Sequence, residues 1–136
     1  MIEPSLELQR AIRARLVATP AVVALVDQAQ IRDGFVRPES FPSILIGDGQ
    51  TVLERVTYAR RHVRTYADLH VFTHGEGLAG AKTVAAAVAG ALATAPAIDG
   101  FRMIDFEISG VRYLRDPDHE AGHAVVSVEA LVEAVQ

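Results

Sequence analysis

Apolar and polar positions change period along this chain, and the changes mark its elements. Over residues 65–72, Ala67, Leu69 and Val71 alternate with Tyr66, Asp68, His70 and Phe72. A period of two predicts a half-buried strand. Farther on the period lengthens. Ala81, Val84, Ala85, Val88, Ala91, Leu92 and Ala95 recur at helical spacing, and Pro96 supplies a stop. A strand, a glycine loop and an amphipathic helix thus follow one another over 65–95, the best-defined unit in the sequence.

Upstream, Leu8, Ala11, Ile12 and Leu16 form one stripe over 5–17, flanked by Pro4 and Pro20. That pattern predicts a surface helix. Residues 21–30, with Val22, Val23 and Val26, predict a second, shorter helix. Asp33-Gly34, Pro38 and Pro42 predict an ordered loop before Ser43. The apolar run 43–47 reads as a short strand, broken by the following GDGQ and paired with a second strand over 51–57. Beyond the Asp99-Gly100 turn, Ile104, Phe106 and Ile108 alternate with Asp105, Glu107 and Ser109. At Gly110 the phase shifts to Val111 and Tyr113, which predicts a bulge. Residues 115–122 form a polar turn. Ala124, Val126, Val128, Ala130 and Val132 then alternate with Ser127, Glu129 and Leu131 to close an antiparallel hairpin.

The predicted order is ααβββαββ. A sheet with alternating faces needs cover on one side only, and the striped helices can supply it. The fold class is α+β, a mostly antiparallel β-sheet with helices packed on one face, in a single domain spanning 1–136.

Composition narrows function without assigning it. The 136 residues are half apolar and 22% charged, as a folded globular domain requires. Cysteine is absent, so there is no disulfide, thiolate metal site or cysteine nucleophile. No apolar run reaches the ~20 residues of a membrane helix. The opening MIEPSLELQR lacks the basic start and apolar stretch of a signal peptide. A soluble cytoplasmic protein with no membrane partner is expected. A net charge of −4 argues against a basic nucleic-acid binder. One cluster runs the other way: Arg55, Arg60, Arg61, His62 and Arg64 lie within ten residues. Either they are the solvated tip of a hairpin, or they dock onto an acidic protein partner or passing DNA.

Two motifs invite chemical readings. Gly75-Glu76-Gly77-Leu78-Ala79-Gly80 fits G-x-G-x-x-G between a strand and a helix, with Asp99 and Asp105 at the distance of a ribose-binding acid. Against a nucleotide site stand the polar second face of the preceding strand, the intervening Thr73-His74, and the lack of further βα units. His119-Glu120-Ala121-Gly122-His123 fits the H-E-x-x-H zinc signature. That chemistry needs a helix, whereas Pro117 and Gly122 flank the motif and a valine-rich strand begins at His123. A surface metal site from Asp116, Asp118, His119 and His123 remains an alternative without catalysis. His62, His70 and His74 form no pattern with a serine or carboxylate. Asp105, Glu107 and Glu129 read first as a solvated or interface face of the hairpin.

Taken together, PSLELQRAIRARL, IRDGFVRPESFPSILIGDGQ, ADLHVFTHGEGLAGAKTVAAAVAGAL and VRYLRDPD followed by HAVVSVEALVE resemble the tail completion family of long-tailed phages, prophages and gene transfer agents. The resemblance covers nearly the whole chain and rests on order and spacing. Where the family usually has an aromatic residue and then serine at the end of the central strand, this chain has Phe72-Thr73. Ser43 stands where an aromatic often follows the loop proline.

The resemblance implies a lambda-type tail-terminator fold and a structural virion protein, with no enzymatic site and no cofactor. It implies a homo-oligomeric ring, six-membered in the family, on the last ring of tail-tube subunits at the head–tail junction. The ring would face a head connector and pass DNA through its lumen without sequence-specific binding. Interface candidates are Arg55, Arg60, Arg61, His62 and Arg64, with Asp116, Asp118 and His119 in the second hairpin turn. The competing readings are nucleotide binding on GEGLAG and metal binding on HEAGH.

Overall fold

The computed structural model describes residues 3–34, 38, 40–53, 62–75, 77–115 and 121–135. Helix α1 spans Pro4–Val17. Its start is set by Glu3, whose carboxylate accepts the Ser5 N–H at 3.1 Å and the Ser5 and Thr51 hydroxyls at 2.9 Å each. These contacts, the backbone one foremost, hold the Glu3 carboxyl below its usual pKa. One face buries Leu8, Ile12 and Leu16 completely. Each such side chain contributes about 1.5–3 kcal/mol by leaving water.

The second helix is shorter than expected. α2 covers only Pro20–Val23, and a 3₁₀ turn, Gln28–Gln30, follows a break. Adjacent valines lose side-chain freedom in a helix and extend it poorly. The expected loop after it opens with a strand, β1, Ile31–Asp33. Three residues are too few for alternation to register as a pattern. β1 pairs parallel with Ile44–Ile46, so its neighbour across the ladder defines it.

A second correction concerns residues 43–57. The two expected strands are one, β2, Ser43–Leu53, with its register shifted between Ile46 and Gly49. Gly47-Asp48 is thus a bulge within a continuous strand. Residues 54–57 of the expected second strand lie outside the described residues. The predicted letter order survives, because the strand gained at β1 replaces the one lost by fusion.

β3, His62–His74, is the centre of the sheet, between β2 and β5, Ala121–Ala134, and antiparallel to both. α3, Ala79–Ala91, leads to β4, Phe101–Arg115, which among the described residues pairs only with β5. The sheet order is β1-β2-β3-β5-β4. Val63, Thr65, Ala67, Leu69 and Val71 of β3 face the helices together with Ala124, Val126, Val128, Ala130 and Val132 of β5. Against them pack Ala81, Val84, Ala85, Val88, Ala91 and Leu92, while Ala95, beyond the helix end, is exposed.

Along β4 the register shifts twice, between Met103 and Asp105 and between Ile108 and Gly110. The second shift is the bulge expected at Gly110. The first was not expected, and it turns Ile104 outward to 41% exposure, while Met103, Phe106, Ile108 and Val111 pack against the core.

Candidate assembly surface

All the helices pack on one face, so the other face of the sheet presents its own side chains in rows set by the register. At one end His62, Glu133 and Arg102 stand side by side on β3, β5 and β4. Glu133 accepts Arg102 Nη2 at 2.7 Å and lies 3.3 Å from His62 Nε2. His62 is therefore tied down within its own chain, and its Nδ1 is buried without a hydrogen-bond partner. The next row aligns Arg64, Leu131 and Asp105.

In the third row Tyr66, Glu129 and Glu107 are neighbours. The two glutamate carboxyls stand opposite each other on the β4/β5 ladder, where a hydrogen bond between them favours the protonated form of Glu107. That bond first, then the Glu129 charge, push the Glu107 pKa up, and Arg64 opposes them. The fourth row carries Asp68, which accepts the Ser127 hydroxyl at 2.7 Å. Beside it Asp48, Gln50, Tyr66, Asp68, Ser109 and Ser127 line a hollow of about 350 Å³.

Toward the other end the face becomes aromatic. The Phe72 and His123 rings stack with centroids 4.3 Å apart, and His70 Nδ1 lies 3.0 Å from His123 Nε2. In the sequence His70 forms no pattern with a serine or carboxylate, and nothing there points to His123. Fifty-three positions separate the pair, and only the β3/β5 register, which sets His70 opposite Val125 and Phe72 opposite His123, makes them diagonal neighbours.

Of the interface candidates, His62 and Arg64 lie on this face at the start of β3. Arg55, Arg60, Arg61, Asp116, Asp118 and His119 lie outside the described residues. The first three belong to the chain joining β2 to β3, and the others to the chain joining β4 to β5.

Neither chemical motif finds its required setting. The GEGLAG loop follows a strand flanked on both sides by antiparallel partners, and α3 leads to an edge strand antiparallel to β5. A dinucleotide fold needs a parallel crossover at that point. Gly122 and His123 of the HEAGH motif are in β5, where successive side chains diverge. No three potential metal ligands converge among the described residues.

The uncovered face of the sheet thus carries one ion-paired row, a row of like charges and an aromatic end, and no catalytic or metal group is assembled on it among the described residues. The profile of the tail completion protein gp17 family matches residues 10–133. The chain belongs to that family. It is a non-enzymatic structural component of a phage-like particle that completes the tail at the head–tail junction. No curated protein matches it in sequence. Its fold is similar to that of a chain in the virion of a native gene transfer agent particle, with TM-score 0.82 and 20% identity over 98% of this chain and 100% of the other. It is also similar to the gp17 protein of bacteriophage SPP1, with TM-score 0.63 and 19% identity over 97% and 91%. The α+β class, the mostly antiparallel sheet and the one-sided helix layer expected of a tail terminator are thus borne out.

Proposed function

We propose that this tail completion protein acts as one domain, 1–136, and closes into a homo-oligomeric ring, six-membered as in its family, that caps the tail-tube protein and meets the head connector. DNA passes through the lumen. The observation that carries the reading is the family match over 10–133, joined to a likeness spanning 98% of this chain to a component of a gene transfer agent particle. The fold supports it. β4 offers a 15-residue edge with no strand paired on its outer side among the described residues, and Ile104, Tyr113 and Leu114 on it are exposed. An open edge of that length invites pairing with another chain, and closure of a ring removes it.

The net charge of −4, repeated around a ring, keeps phosphate contacts few and lets DNA slide. Arg55, Arg60, Arg61, His62 and Arg64 serve as a docking element toward the tube, and Asp116, Asp118 and His119 form a second contact region.

Light scattering on the purified protein, alone and with tail tubes, tests the reading. A ring-sized species, or a monomer recruited to tube ends, is expected. A monomer indifferent to tubes would overturn it. The double variant Arg60→Glu/Arg61→Glu should keep the wild-type melting temperature and lose tube attachment. Undiminished attachment would remove the docking role.

A further inference from the structure

The aromatic end of the uncovered face holds two imidazoles that point at each other. The register sets Arg32, Leu45, His70, Val125 and Arg112 in one row across the five strands, and Ser43, Phe72, His123 and Leu114 in the next. His70 Nδ1 lies 3.0 Å from His123 Nε2, and the ring centroids are 5.3 Å apart. At that separation the two nitrogens lie on the line between the ring centres. A tetrahedral metal ion needs two lone pairs that converge on a point off that line. A head-on approach is the geometry of a shared hydrogen.

Both rings are held in place. Leu45 and Val125, the neighbours of His70 in its row, are buried. A Cβ on Gly47 would lie 3.2 Å from His70 Cδ2, so the imidazole has little room to swing toward β2. His123 lies flat on Phe72, with the planes 11° apart. A neutral imidazole carries one N–H and one acceptor nitrogen, and the bond needs one of each between the rings. It survives when both rings are neutral and when one is charged. When both are charged, each facing nitrogen carries a hydrogen, the acceptor is gone, and two cations stand 3.0 Å apart.

The surroundings do not compensate that second charge. Among the described residues, β1 and β4 bring Arg32 and Arg112 into the His70 row itself. β3 adds His74, beyond Phe72 on the same face, against the Phe41 ring. Carboxylates stand one row away, at Asp48 of β2 and Asp68 of β3, and Asp68 already accepts the Ser127 hydroxyl of β5.

We propose that His70 and His123 form an acid-sensitive clasp between β3 and β5, which accepts one proton and opens on the second. The contact is complete at neutral pH and is lost as pH falls below about 6, where histidines charge. Opening lifts His123 off Phe72 and frees the first residues of β5 from the end of β3. The clasp does not depend on the ring reading, and the isolated chain suffices to test it.

The test is amide hydrogen exchange of the full chain at about pH 7.5 and about pH 5, expressed as opening relative to the intrinsic exchange rate at each pH. In the wild type, opening over residues 121–125, relative to 126–132 of the same strand, should increase about tenfold in acid, the loss of one hydrogen bond. His70→Asn and His123→Gln each remove one of the two charges, so the acid step should disappear from both. A role in packing alone predicts equal opening at the two pH values in the wild type. Absence of the acid step there, or an undiminished step in either variant, would overturn the proposal. Should the variants not fold, ¹⁵N spectra of the wild-type imidazoles decide. Two rings that charge in separate steps uphold the clasp, and two that charge together as independent groups refute it.

Discussion

Arg15 ties the helix layer together, and removing its guanidinium gives a sharp test of how that layer holds. From α1 it reaches the C-terminus of α3. Nη1 donates to the carbonyls of Ala91 at 2.9 Å and Thr94 at 3.0 Å and to the Thr94 hydroxyl at 3.2 Å, and Nη2 lies 3.4 Å from the Ala95 carbonyl. The last turn of α3 has no basic residue of its own, so a cation from another helix caps its dipole. Arg15→Met keeps most of the packing stem and removes the donors. A hydrogen bond to a charged group contributes about 1.5–3 kcal/mol, but these donors are partly exposed and share one planar group, so about 1–2 kcal/mol is expected. For a chain of this size that lowers Tm by roughly 3–8 °C. Hydrogen exchange should speed up at the amides of Leu92 and Ala93, which bond to Val88 and Gly90 at the helix end. Tm within 1 °C of wild type at pH 7 together with unchanged exchange there would refute the reasoning.

Three further outcomes follow from other parts of the fold. Glu107→Gln should raise Tm at neutral pH and leave it unchanged in acid: the folded pKa lies above the unfolded one, so the wild type loses stability as pH rises between them. Thermal melts across pH 3–8 check this, and a gap that persists in acid would contradict it. Glu3→Ala should cost about 0.5–1 kcal/mol at pH 7. Its folded pKa is depressed, so that difference should vanish as pH falls through it, as urea midpoints would report. Gly49→Ala should destabilise by about 1–3 kcal/mol, because the new Cβ would sit 2.7 Å from the Tyr66 carbonyl and force β2 away from β3. An unchanged urea midpoint would mean that the bulge yields without cost.

By itself the sequence determined the elements with long, regular periods. β3, α3 and β5 bury one face each, and the burial of Ala67, Leu69 and Val71 and of Val84, Ala85 and Val88 follows from spacing alone, since an exposed apolar stripe costs too much to persist. The α+β class and the failure of both chemical motifs were legible for the same reason: each motif demands a local context that its flanking residues deny. Tertiary structure decided what depends on a partner across the ladder. β1 exists because Ile44–Ile46 offer it a parallel edge, and β2 stays continuous through Gly47-Asp48 because β3 holds both of its halves. Ile104 turns outward because β5 meets β4 at a bulge there. The candidate surface belongs to this second class. Spacing placed Glu107 and Glu129 on a polar face, but only the register set them against each other, brought His70 to His123, and clamped His62 and Arg102 on Glu133. Local periodicity records which side of an element avoids water. It carries no record of which residue, tens of positions away, will stand opposite.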